Sequence, residues 1–126
     1  MTLGSSPVPL QGPEGALYDI EAVLEPGTAE AVGIEIRGHR IEYSVAEHEL
    51  TAMGKQAPLV AEDGKISLRI LVDRTSIEVF ANGGQVQMAS CFLPEEDKQE
   101  LAVYATGGPA KVPAVRVWEL QSVWDR

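Results

Sequence analysis

The chain has 126 residues, 44% of them hydrophobic and 23% charged, which describes one globular domain and excludes a disordered tail, a collagen and a coiled coil. Nineteen acidic residues against ten basic ones give a net charge of −9, so polyanions are repelled, and neither nucleic acid nor membrane is an expected partner. No apolar run approaches the roughly 18 residues of a membrane span, and no charged-then-apolar leader opens the sequence, so no signal peptide is expected in it.

Residues 1–15 carry three prolines and three glycines and read as a linker or loose lead-in. From residue 16 to 126 the pattern reads as one sandwich module. Tyr18, Ile20, Ala22 and Leu24 alternate with Asp19, Glu21, Val23 and Glu25, which a strand sorts onto a dry and a wet face. Pro26-Gly27 ends that run. Val32, Ile34 and Ile36 form a second apolar set, Gly38-His39 reads as a two-residue hairpin loop, and Ile41, Tyr43 and Val45 return. His48 to Met53 reads as a short strand, followed by loop marked by Gly54 and Pro58. Asp63-Gly64 is a turn signal.

Ile66, Leu68, Ile70 and Val72 make the cleanest apolar face. Residues 73–76 read as a polar turn and Ile77 to Ala81 as its partner strand. Asn82-Gly83-Gly84 is a second hairpin signal, with Val86, Met88 and Phe92 beyond it. Pro94 to Lys98 suits one helical turn. Leu101, Val103 and Ala105 suit a strand ended by Gly107-Gly108-Pro109, and Val112 to Leu120 a last one. About eight or nine short strands, spaced about ten residues apart, predict an all-β, antiparallel two-sheet β-sandwich of the concanavalin or lectin-like jelly-roll type.

Chemistry is sparse. Residues two apart on a strand share a face at roughly 6.6 Å, so Asp19/Glu21 and Glu47/Glu49 have the spacing glycosidic chemistry needs. Alternation alone also explains them. His39 and His48 have no metal-ligand spacing, and no phosphate loop, nucleotide fingerprint or calcium loop occurs, so neither metal nor cofactor is expected. Cys91 cannot form an internal disulfide, and an inert or semi-buried thiol is expected. Tyr18 and Tyr43 fall on apolar faces and suit the core. Trp118 is a candidate for core packing, an inter-domain contact or a sugar platform, and Trp124, near the C-terminus, suits packing against another surface rather than standing in water.

The run from Ile66 to Gly84, ISLRILVDRTSIEVFANGG, resembles the C-terminal β-sandwich of glycoside hydrolase family 32, the invertase, levanase and inulinase family. Tyr18 to Ala22, Leu50 to Leu59, Leu101 to Gly108 and Val115 to Trp124 are similar to other strands of that domain, so the resemblance covers about residues 16–124. It implies a five-bladed catalytic propeller as partner, preceding the sandwich and carrying the nucleophile, the acid/base and a transition-state-binding Arg-Asp pair. The NDPNG-like, RDP and EC surroundings of those residues are absent from this sequence. Asp73-Arg74 is not that pair, so no catalytic residue is carried over and the chain is expected to be inactive alone.

The motif also has a reading without a ligand. Asp73, Arg74, Ser76 and Glu78 suit a structural turn lock, with Asp73 capping backbone N–H groups and Glu78 facing Arg69 or Arg74. Three readings stand beside one another. The first is a non-catalytic module of a fructan- or sucrose-hydrolysing enzyme that packs against the propeller and supports its stability. The second is an autonomous carbohydrate-binding module for levan or inulin, with Trp118 and Trp124 as platform. The third is a small enzyme built on a carboxylate pair. The parent is expected to be secreted or periplasmic, fructan polysaccharide is a possible partner, and a homo-oligomer is another.

Overall fold

In a computed structural model, residues 2–4, 7–10, 18–73, 75–91 and 101–119 are described. They form two six-stranded antiparallel sheets, as the alternation predicts. The strands are β1 (Thr2–Leu3), β2 (Val8–Pro9), β3 (Tyr18–Glu25), β4 (Ala31–Ile36), β5 (His39–Ser44), β6 (Glu49–Ala52), β7 (Lys55–Pro58), β8 (Ile66–Val72), β9 (Ser76–Ala81), β10 (Val86–Cys91), β11 (Leu101–Thr106) and β12 (Ala110–Glu119). The first sheet runs β1-β12-β3-β8-β9-β10 and the second β2-β11-β4-β5-β6-β7. Period two sends one set of side chains from each strand between the sheets. Ile20, Leu24, Ile34, Ile41, Ile66, Ile70 and Ile77 are all fully buried there. Each contributes about 1.5–3 kcal/mol of transfer free energy.

Several expectations need correction. The lead-in is not loose throughout. β1 pairs with β12, β2 pairs with β11, and Leu3 is completely buried. One apolar side chain that fills the core outweighs the surrounding prolines and glycines. Pro9 is tolerated because β2 is an edge strand, where a missing N–H costs no ladder bond. The segment after Gly54 is not loop but the edge strand β7, with Pro58 at its end. The first hairpin loop is Arg37-Gly38, one residue earlier than the glycine-first reading, and Ile36 pairs with His39. Arg37 and Gly38 both have positive φ, 50° and 82°, which matches the right-handed twist of the flanking strands. The helical turn expected at 94–98 and Phe92 lie outside the described residues.

Candidate functional site

Directly opposed residues on neighbouring strands share a face, so the register defines the outer surface of the first sheet. Trp118 opposes Asp19, Asp19 opposes Leu71, Leu71 opposes Glu78, and Glu78 opposes Ala89. Beside this row runs a second: Arg116, Glu21, Arg69, Phe80 and Gln87. Trp118 is 41% exposed. Phe80 and Leu71 are half-buried on the same face.

Asp19 and Glu21 share the outer face, as their spacing implies. Asp19 is nevertheless only 7% exposed. The Arg69 guanidinium covers it, donating from Nη2 to Oδ2 at 2.9 Å and from Nε to Oδ1 at 3.4 Å. This planar two-point pairing raises the Arg69 pKa above its ordinary value, first through the hydrogen bond to Asp19 and then through its charge. Arg69 therefore points to Asp19, while Glu78 stands exposed opposite Leu71 and Ala89. Glu47 lies in the turn before β6 and Glu49 on β6 itself, so that second pair does not share a strand.

The motif turn joins β8 to β9. Its backbone closes through the Asp73 N–H, which donates to the Ser76 carbonyl at 2.9 Å. Arg37 reaches it from the second sheet, and Nη1 donates to the Asp73 carbonyl at 3.0 Å. The same guanidinium carbon lies 5.2 Å from the centre of the Tyr18 ring. Burial pushes the Tyr18 phenol above its ordinary pKa, partly offset by the Arg37 charge. Arg37 thus ties the two sheets together at this end. The sequence reading missed it, although an arginine directly before a turn glycine was its signal. Arg74 lies outside the described residues.

Ser76 and Glu78 also line a groove of about 640 Å³ between the two sheet edges, together with His39, Met53, Lys55 and Cys91. Lys55 crosses the groove, its Nζ donating to the Ala89 carbonyl on β10. Cys91 is exposed rather than semi-buried, because it ends an edge strand in the outward register of Gln87 and Ala89. A second depression of about 310 Å³ adjoins it along β9 and β10 and shares Glu78 and Ala89. Among the described residues no group of three or more His, Cys, Asp or Glu side chains is placed to hold a metal ion. Trp118 stands four strands away from β10, outside the groove. Trp124 lies outside the described residues.

The outer face of the second sheet is organised around Tyr104. Tyr43 and Tyr18 are buried between the sheets as expected, but Tyr104 faces outward and is still only 4% exposed. It opposes Gly33, which lacks a side chain, and the ring occupies that space. Its hydroxyl donates to Glu42 Oε1 at 2.9 Å, and the Arg40 guanidinium carbon lies 4.9 Å from the ring centre. Burial, then the Glu42 carboxylate, hold the phenol far above its ordinary range.

A pH dependence follows. The Tyr104, Tyr18 and Tyr43 phenols all have raised pKa values in the folded chain. A group of raised folded pKa keeps its proton longer in the native state, so stability is complete below the unfolded value of about 10 and declines as pH rises past it. The urea midpoint is expected to stay level near neutrality and to fall above about pH 10. Tyr104→Phe is expected to flatten that fall, and equal slopes for the two proteins would refute the assignment.

The comparisons with known proteins agree with this architecture. The sequence profile described as glycosyl hydrolases family 32 C terminal matches residues 2–119. A levanase of Bacillus sp. (strain L7) is 33% identical over 91% of this chain, which corresponds to 15% of the levanase. A levanase of Bacillus subtilis (strain 168) is 30% identical over 91% of the chain and 20% of its own length. The chain therefore spans at most about a fifth of these relatives. Among solved structures, an exo-inulinase from Aspergillus awamori superposes with a TM-score of 0.85 at 20% identity, over 98% of this chain and 28% of that one. A galectin from Caenorhabditis elegans, LEC-6, shares the fold at a TM-score of 0.59 and 12% identity, covering 87% of this chain and 91% of its own. These likenesses are what the run from Ile66 to Gly84 implies. The chain belongs to the family of C-terminal domains of the family 32 glycosyl hydrolases.

Proposed function

We propose that this chain is the non-catalytic C-terminal module of a fructan- or sucrose-hydrolysing enzyme, packing against its catalytic propeller and supporting the propeller's stability. The observation that carries the reading is the stitching of the incoming chain. Within residues 2–9 the backbone pairs first with β12 of one sheet and then with β11 of the other, and Leu3 is sealed in the core between them. A domain joined ahead of residue 2 is thereby held by both sheets rather than by a free linker. The Asp73–Ser76 turn, fastened by Arg37, serves in this reading as a lock on the sandwich itself.

The test is calorimetry of this chain placed behind a levanase propeller in place of the matching region. One cooperative transition is expected. Leu3→Asp is expected to split it into two or to lower it by several degrees. Two independent transitions in the unaltered fusion, with levan hydrolysis as heat-labile as that of the bare propeller, would sink the reading. The chain alone is expected to release no fructose from sucrose, inulin or levan.

A further inference from the structure

We infer that the outer face of the first sheet, along the row from Trp118 to Glu78, binds a neutral, hydroxyl-rich polysaccharide. The row, with Arg69 reaching into it from the row beside it, contains the parts such a ligand needs. Trp118 is the one exposed aromatic among the described residues, and its ring offers an apolar face to the C–H side of a sugar. Its cross-strand neighbour Asp19 holds Arg69 in a fixed orientation through two N–H···O contacts. A guanidinium has five donors, and the Arg69 side chain is 57% exposed, so those not given to Asp19 face solvent in a set direction. Fixed donors beside an aromatic platform recognise hydroxyl groups at little entropic cost. Leu71 continues the floor, and Glu78 supplies acceptors at the far end.

From Trp118 to Glu78 the row crosses three inter-strand spacings, about 14 Å in all, room for several linked rings rather than one. Beyond Glu78 the surface opens into the two depressions that this residue lines. Charge selects the class of glycan. Arg69 and Arg116 balance Asp19 and Glu21 locally, while the whole chain carries −9. Acidic polysaccharides are repelled and neutral ones are not. The choice of fructan as probe rests on the family reading above, whereas the claim of a neutral-glycan face does not.

The test is electrophoresis of the full chain under native conditions in gels cast with levan, inulin or dextran. Retardation by levan or inulin is expected, and the difference between them reports the linkage. Trp118→Ala leaves net charge unchanged and is expected to weaken binding about tenfold or more, as loss of a central aromatic does, whereas Trp118→Tyr retains most of it. Equal retardation by dextran, abolished by the same substitution, supports a general neutral-glycan face. No retardation in any gel, or retardation that survives Trp118→Ala, overturns the proposal. Nuclear magnetic resonance titration of the unaltered chain with a soluble fructo-oligosaccharide needs no variant: the amides of residues 19, 69–71 and 118 are expected to shift, and shifts confined elsewhere overturn it. Failure here leaves the calorimetric result on the propeller fusion untouched.

Discussion

Gly33→Ala is expected to lower the unfolding free energy by about 3 kcal/mol, the upper range for overpacking a filled space. A Cβ at this position would stand 2.4 Å from the Ile41 carbonyl oxygen and 2.7 Å from the Tyr104 hydroxyl. The two obstacles are of different kinds. The Tyr104 ring can swing away, but that gives up its bond to Glu42 and exposes its apolar face. The Ile41 carbonyl belongs to the backbone of β5, whose partner across the ladder is Ile34 beside the glycine. Urea midpoints of Gly33→Ala, Tyr104→Ala and the double variant separate the two. The double variant is expected to be less destabilised than the sum of the singles, because the ring clash that Gly33→Ala contributes to that sum is absent once the ring is removed. A double variant no less stable than Tyr104→Ala alone would show that the carbonyl yields easily, and a loss under about 1 kcal/mol in Gly33→Ala would refute the packing.

Asn82→Ala is expected to cost about as much, again about 3 kcal/mol, for other reasons. Asn82 Oδ1 accepts the Ser67 N–H at 3.0 Å, and Nδ2 donates to the Val60 carbonyl at 3.0 Å. The side chain thus holds the segment before β8 and the first residues of β8 to the turn after β9. Its own φ is +48°, in the left-handed region that asparagine tolerates and alanine does not. Asn82→Gly keeps the conformation and drops both hydrogen bonds, so it is expected to lose about 2 kcal/mol. Asn82→Asp keeps the acceptor and loses the donor, and is expected to fall between wild type and glycine. Equal stability of the alanine and glycine variants would remove the conformational part of the argument.

How far the sequence reveals this molecule depends on whether a feature repeats. β3, β4, β5, β8 and β9 are legible because each alternates over six residues or more, and a strand turns that alternation directly into two faces. β1 and β2 are two residues each and carry no period, so their prolines and glycines dominate the reading. β7 is hidden in the same way by Gly54 and Pro58. The burial of Tyr104 depends on an absence on another strand: parity sends it outward, and Gly33, more than seventy positions earlier in the sequence, makes room for it. Asp19 is likewise outward by parity but is covered by Arg69 from β8, a pairing that only the register supplies. Arg37 and Asn82 act from left-handed turn positions, where a side chain leaves its strand plane and reaches another element. Family-level identity was legible because one long run, from Ile66 to Gly84, spans a whole hairpin and its turns.

The strand order also governs how the chain can be made. In both sheets a late strand lies between two early ones: β12 between β1 and β3, and β11 between β2 and β4. A ribosome delivering this sequence releases β3 and β4 long before residues 101–119 emerge. Until then each has one flank bare, and the short N-terminal strands have nothing to pair with. The hairpins from β4 to β7 and from β8 to β10 can close locally during synthesis, but the second sheet cannot be completed before Thr106 is made, nor the first before β12, which ends at Glu119. Completion through such distant pairings is slow relative to local closure, and bare strand flanks invite pairing with neighbouring nascent chains. The interval before β11 and β12 arrive is therefore when the flanks of β3 and β4 are most open to mispairing.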